Sequence, residues 1–176
     1  MNATYTIRDA KPEEFQTIGE LMVKVYAQLE GFPKPVEQPT YYDKLANIGN
    51  FTENPETRLL VAVSSEGHIG GGVVYFGDME YYGSGGTATH EKNAAGFRLL
   101  ALDPDVRGGG LGKLLTKTCL DIARTEGQKT MVIHSTKAMQ VAWAMYESMG
   151  FERALDLDFM QGELAVYGFR LALRKG

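Results

Sequence analysis

Four of the five residues from 108 to 112 are glycine, within the run Leu102-Asp103-Pro104-Asp105-Val106-Arg107-Gly108-Gly109-Gly110-Leu111-Gly112-Lys113. Before it lies an apolar stretch with strand character, Gly96 to Leu102. After it comes an amphipathic stripe formed by Leu111, Leu114, Leu115, Thr118, Ile122 and Ala123. Glycine gives up more conformational freedom on folding than any other residue, about 0.5–1 kcal/mol relative to alanine in a regular element. One or two glycines fit a turn that needs positive φ. Four of them at a strand-to-helix junction imply that bare backbone N–H groups approach an anion, with the positive end of the helix dipole behind them. Two phosphate-loop spacings fail. The spacing G-x-x-x-x-G-K-[ST], set on Gly112 and Lys113, puts Arg107 where a glycine belongs and Leu114 where a hydroxyl belongs. The spacing G-x-G-x-x-G ends on Lys113 when started at Gly108 and on Leu115 when started at Gly110.

The rest of the chain narrows the class. A length of 176 residues predicts one domain spanning 1–176, large enough to bury a core without disulfides or metal. The formal charge of −4 and pI near 5.4 argue against nucleic-acid and anionic-membrane partners. No apolar run approaches the length of a membrane span, and MNATYTIRDAK lacks a signal-peptide pattern. Cys119 is the single cysteine, and no Cys/His cluster has metal-ligand spacing, so no metal is expected. With no export signal and an unpaired thiol, a cytoplasmic location is expected. Cys119 sits beside the apolar stripe, where packing is its expected role.

Periodicity gives the element order. Residues 4–9 alternate as a short strand. Asp9 to Glu14 reads as a helix start, followed by Phe15, Ile18, Leu21, Met22, Val25 and Leu29 at helical spacing. Residues 31–39 carry three prolines and end that helix; residues 41–48 suit a second one. Residues 58–63 and 68–76 form a hairpin signal around Ser64-Ser65-Glu66-Gly67. Residues 77–93 read as a mobile loop. Strands at 96–102 and 130–134 then flank the glycine-led helix. A last helical stripe through Ala138, Ala142, Met145 and Met149 stops at Gly150, with Phe151 packed behind it, and strands at 153–159 and 165–173 close the chain. The order β-α-α-β-β-β-α-β-α-β-β predicts a mixed α/β (α+β) layer architecture.

Arg107, Gly110 and Gly112 do fill R-x-x-G-x-G, and this resembles the acetyl-CoA pyrophosphate loop of the GNAT superfamily of N-acetyltransferases. Upstream, Leu100-Ala101-Leu102-Asp103-Pro104 resembles that family's fourth strand and proline turn. Downstream, Ala142-Trp143-Ala144-Met145-Tyr146-Glu147-Ser148-Met149-Gly150-Phe151 is similar to its A-x-x-L-Y-x-x-x-G-F helix end. The resemblance covers residues 96–159 closely. It implies a twisted, mostly antiparallel sheet of about seven strands, splayed between strands 4 and 5, with about four helices around it.

For function, the resemblance implies an acetyl-CoA-dependent N-acetyltransferase acting by direct attack of a primary amine on the thioester. Tyr146 would be the general acid for the CoA thiolate. Leu100, Ala101 and Leu102 would pair with the pantetheine arm, opposite residues 131–135. Arg107, Gly108, Gly109, Gly110, Leu111, Gly112 and Lys113 would hold the pyrophosphate. Two departures stand out. The glutamate that many relatives carry on the fourth strand is absent, its place taken by Gly96, Phe97 and Arg98, and Met139 replaces an asparagine, for which Ser135 or Thr136 could substitute. Glu80, His90, Glu91 and His134 are candidate bases acting through water. For the acceptor, Tyr26, Tyr81, Tyr82 and Glu80 are the leading candidates. Phe32, Tyr41 and Tyr42, with Glu30, Glu37 and Asp78 nearby, would favour a cationic small-molecule or peptide amine. A homodimer through the closing strands is a further expectation. The alternative readings are a non-catalytic acyl-CoA sensor of the same fold and an interaction domain whose glycine loop is only structural.

Overall fold

A computed structural model describes residues 4–174. The β-rich runs pair in sequence: β1 (Tyr5–Asp9) against β2 (Thr57–Ser64), β2 against β3 (Ile69–Phe76), and β3 against β4 (Ala94–Leu102), all antiparallel. β5 (Thr130–Ser135) then joins β4 in parallel, and β8 (Leu164–Ala172) pairs antiparallel with β5. The spatial order is β1-β2-β3-β4-β5-β8-β6, with the short β7 (Phe159–Gln161) on β8. This is the mixed, mostly antiparallel sheet that was expected, opened between its two central strands.

Helices cover both faces. On one lie α1 (Phe15–Ala27) and α2 (Pro39–Ala46), whose Ile18, Met22, Tyr26, Tyr42 and Leu45 pack with Leu59, Val61, Val74 and Phe76. On the other lie α3 (Leu111–Thr125) and α4 (Gln140–Ser148), whose Leu111, Leu115, Cys119 and Tyr146 pack with Tyr75, Phe97, Met131 and Phe169. The two-residue alternation of the strands sends successive side chains into these two cores. Among the described residues, no helix is long and apolar enough to cross a membrane.

Three boundaries differ from the sequence pattern, each for a tertiary reason. Asp9 does not cap α1; its carboxylate pairs with Arg58, and the helix is entered through a one-turn 3-10 segment, Pro12–Glu14, in which the Glu14 carboxylate accepts from the Lys11 N–H at 2.8 Å and pairs with Arg8. The segment 77–93 holds two short 3-10 turns, Met79–Tyr81 and Ala88–His90, with Met79, Tyr82 and Ala88 buried. The first closing strand is broken into β6 (Glu152–Arg153), a 3-10 turn at Leu155–Leu157, and β7, making eight strands. The break buries Leu157 on Gly168, where a Cβ would collide with the Leu157 side chain.

Candidate active site

β4 and β5 share only three partner pairs, Ala94–Thr130, Ala95–Met131 and Gly96–Val132, and then part. The parting has a local cause in β4. Arg98 opposes Val74 and Ala101 opposes Gly72, so Leu99 and Leu100 together face Val73 alone, a bulge with Leu99 at φ 62°. A left-handed residue other than glycine costs about 1–2 kcal/mol. Bulges bend a strand and end its pairing on one side. The Leu100 carbonyl is held by the Tyr26 hydroxyl of α1, which donates to it at 3.0 Å. Burial, with the neighbouring Tyr41 and Tyr146, pushes the Tyr26 pKa well up, so this donor keeps its proton.

β5 ends beside the opening with Ser135, and Thr136 follows it. Both hydroxyls are buried, and neither has a hydrogen-bond partner among the described residues. Leaving a buried donor unpaired costs about 1–3 kcal/mol. Two such groups side by side at the edge of a cleft fit a polar ligand that enters it. By the alternation of β5, Ser135 shares the face of Met131 and Ile133, toward α3 and α4.

The glycine junction runs on from β4. The Asp103 N–H donates to the Gly70 carbonyl, and the Asp103 carboxylate accepts from the Asp105 N–H and pairs with His68 at 3.0 Å, which fixes the start of the turn. Gly108 and Gly110 have φ 86° and 82°, and Gly110 occupies the cap position of α3 with no side chain to offer its amides. The first bond of the helix is Leu114 N–H to the Gly110 carbonyl at 3.0 Å. The N–H groups of Leu111, Gly112 and Lys113 therefore precede any intrahelical acceptor. A Cβ on Gly108 or Gly110 would meet nothing within 4 Å. The space outside the turn is open, and conformation alone demands glycine there. Arg107 and Lys113 are exposed around the turn, while Leu111 is buried under it.

Tyr146 stands on α4 at the same face of the sheet. The helix ends in a Schellman arrangement: Gly150, at φ 100°, donates to the Glu147 carbonyl, and Phe151 donates to the Tyr146 carbonyl, both at 3.1 Å. The apolar contact that accompanies this motif is the Tyr146 ring against the Phe151 ring, 5.7 Å between centroids, and Phe97 of β4 packs on Tyr146 at 5.8 Å. The Y-x-x-x-G-F spacing thus has a physical reason, since the helix stop clamps the tyrosine. Tyr146 is 5% exposed, and its hydroxyl has no hydrogen-bond partner among the described residues; burial pushes its pKa up.

The opposite face of the opening carries a different chemistry. Arg98, half-buried on β4, donates to the Tyr82 carbonyl at 2.8 Å and lies 5.6 Å from the centroid of the Tyr82 ring. Tyr82 is fully buried, and its hydroxyl meets His134 Nδ1 at 3.0 Å. His134 Nε2 lies 2.9 Å from the Leu157 carbonyl, which can only accept. The imidazole proton is therefore on Nε2, and Nδ1 takes the Tyr82 proton bond. Burial lowers the His134 pKa. Tyr26, Phe32 and Tyr41 form an aromatic cluster with centroids 5.5–6.2 Å apart. Tyr81 is half-buried. Glu30, Glu37, Asp78, Glu80 and His90 are exposed, and Glu91 is held by Arg170 at 2.8 Å. The charge nearest the rings is thus the Arg98 cation, not an acid. Arg98 also lines a polar recess of about 250 Å³ with Asp43, Lys44, Asn47, Asn50, Asn54, Phe51 and Gly83. In the sequence Arg98 stands out only where a glutamate is absent. The usable signal was a lone charge in the apolar run Ala94–Leu102.

Burial pushes the Cys119 thiol up, consistent with packing. Among the described residues, no group of three or more His, Cys, Asp or Glu could hold a metal ion.

Comparisons with known proteins agree with this geometry. The family model described as acetyltransferase (GNAT) family matches residues 22–151. The uncharacterized N-acetyltransferase YjgM of Escherichia coli K12 is 32% identical over 125 residues, covering 69% of this chain and 72% of that protein. A mycothiol acetyltransferase of Saccharomonospora viridis is 35% identical over 65 residues, which is 36% of this chain and only 21% of that protein's length. A crystal structure of a GNAT-family acetyltransferase from Staphylococcus aureus Mu50 superposes with a TM-score of 0.75 at 14% identity, covering 97% of this chain and all of that one.

Proposed function

The chain belongs to the acetyltransferase (GNAT) family, and from that premise we propose that it moves the acetyl group of acetyl-CoA to a primary amine in the β4–β5 cleft, with Tyr146 as the acid for the departing thiolate. The observation that carries this reading is the convergence on one face of the cleft of three features. These are the unpaired amides of the glycine junction, the unpartnered Ser135 hydroxyl, and the clamped Tyr146.

The residues present fit the cosubstrate. The amides from Gly108 to Lys113 suit the pyrophosphate, those of Val106 and Arg107 already donating to the Asp103 and Pro104 carbonyls, with the Arg107 and Lys113 side chains adding positive charge. The pantetheine arm would lie along Leu100–Leu102, on the edge that β5 has left, where Ser135 and Thr136 would find partners for their hydroxyls. Acetyl-CoA supplies a thioester activated toward nitrogen. The N–C bond forms as the C–S bond breaks, Tyr146 gives its proton to sulfur, and the proton lost by the amine passes to water, from which the phenolate is re-protonated.

The energies are compatible with this role. Free tyrosine near 10 and a thiol near 8.5 differ by about 1.5 pH units, roughly 2 kcal/mol uphill. Burial raises the phenol further and widens that gap, so the proton has to move as the C–S bond breaks rather than in a separate step. Deprotonating an alkyl amine near 10.4 at pH 7 costs about 4.6 kcal/mol, so the amine's environment also contributes to the barrier.

The test is calorimetric titration with acetyl-CoA, followed by DTNB detection of released thiol over a panel of amines. Binding with amine-dependent thiol release is expected. Tyr146→Phe should lower kcat at least tenfold with little change in acetyl-CoA affinity. Binding without release on any amine would turn the reading into that of a sensor, and an unchanged kcat in Tyr146→Phe would remove the tyrosine from the mechanism.

A further inference from the structure

We propose that the acceptor carries a carboxylate beside its amine, and that Arg98 is the residue that selects it. This rests on the acetyl-transfer reading and adds the substrate class.

Among the described residues, Arg8, Arg58, Arg124, Arg153 and Arg170 each have a carboxylate partner within ion-pair distance. Arg98 has none, although it is half-buried. One of its five N–H donors is used, on the Tyr82 carbonyl, and its flank rests on the Tyr82 ring. A partly desolvated guanidinium with four free donors is a fork for a planar carboxylate, which it binds bidentately.

The surroundings match such a ligand. The recess at Arg98 is edged by the amides of Asn50 and Asn54, which can serve an oxygen-rich group, and by Lys44. The one acid lining it, Asp43, is engaged by Asn47 Nδ2 at 3.4 Å and leaves the local balance positive. Arg98 lies two residues past Gly96, the last residue of β4 that pairs with β5, so it stands where the cleft opens. The Arg98 charge reaches Tyr26, Tyr41, Tyr82 and His134, the groups that surround the opening on this face. An amino carboxylate anchored here directs its nitrogen toward the thioester side. A polyamine brings a second cation against Arg98 and is disfavoured.

The experiment compares matched acceptors by thiol release: a set of amino acids, each with its carboxamide, and a polyamine, in the wild-type protein and in Arg98→Gln and Arg98→Lys. The expected result is kcat/KM at least tenfold higher for carboxylate than for amide, mainly through KM. That ratio should fall to near one in Arg98→Gln and recover in part in Arg98→Lys, with acetyl-CoA affinity kept in both. Calorimetry with N-acetylated amino acids provides a readout without turnover, and their binding should weaken at least tenfold in Arg98→Gln. Equal turnover of amides and carboxylates, preference for the polyamine, or an unchanged ratio in Arg98→Gln overturns the assignment and leaves acetyl transfer standing. Acetyl-CoA binding with no acceptor used at all overturns both.

Discussion

Single residues in this protein are tuned by what covers them. His134 is the clearest case. Both of its nitrogens are committed, one accepting from Tyr82 and one donating to the Leu157 carbonyl, and burial holds its pKa below the ordinary 6.5. The unfolded chain binds this proton more readily than the folded one. Stability is therefore full above about pH 6.5 and falls as the pH drops below it toward the folded-state value. Urea unfolding at pH 8 and pH 5.5 should show this loss, and His134→Asn should flatten it; an unchanged slope in the variant would assign the effect to other groups. The same geometry argues against His134 as a direct base for the amine. Its free acceptor position is already filled by Tyr82, so a proton could reach it only through that hydroxyl.

At the scale of elements, the two junctions around the cleft are built by opposite means. The end of α4 is closed by its own backbone through Gly150 and Phe151, and this fixes Tyr146 without ligand. The start of α3 is left open, capped by a glycine in a left-handed conformation and lacking any side-chain acceptor. Since Gly110 faces empty space, Gly110→Ala suffers no clash, and its cost is conformational, about 1–2 kcal/mol. The expected outcome is a lower Tm together with weaker acetyl-CoA binding, read by thermal unfolding and calorimetry. Loss of stability with unchanged affinity would mean that the turn is structural only. β4 shows a third device. The bulge at Leu99 accepts strain to turn the strand away from β5, and the Tyr26 hydroxyl secures the bent backbone.

For the whole molecule, the sheet behaves as two halves joined at β4 and β5 by three partner pairs. A ligand that spans the gap should couple them. At a hundred times its dissociation constant, acetyl-CoA should stabilise the folded state by about 2.7 kcal/mol. Hydrogen exchange should slow at residues 98–102 and 108–113, while β1 and β2 stay unaffected. Protection confined to the edge strands, or no rise in Tm, would place the ligand elsewhere. The faces of the sheet also differ: the α3–α4 side carries the glycine-junction amides, Ser135 and Tyr146, and the α1–α2 side carries aromatic rings and the Arg98 cation.

Features coded by neighbours along the chain were legible in the sequence alone. The glycine junction, the stop after Tyr146, the β2–β3 hairpin and the order of elements depend on residues a few positions apart, where steric and hydrogen-bonding rules act locally. Tertiary structure decided the rest. The Tyr26–Leu100 bond spans 74 positions and the Tyr82–His134 bond 52, and Arg98 finds Tyr82 across 16. Local pattern does not encode such contacts, nor does it show that the acids near the rings stay in solvent while an arginine comes inside. The break at Leu157 likewise follows from its packing on Gly168, a contact set by the fold of β8. Burial and charge at a site are properties of what converges there from separate elements, and that convergence exists only once the chain is folded.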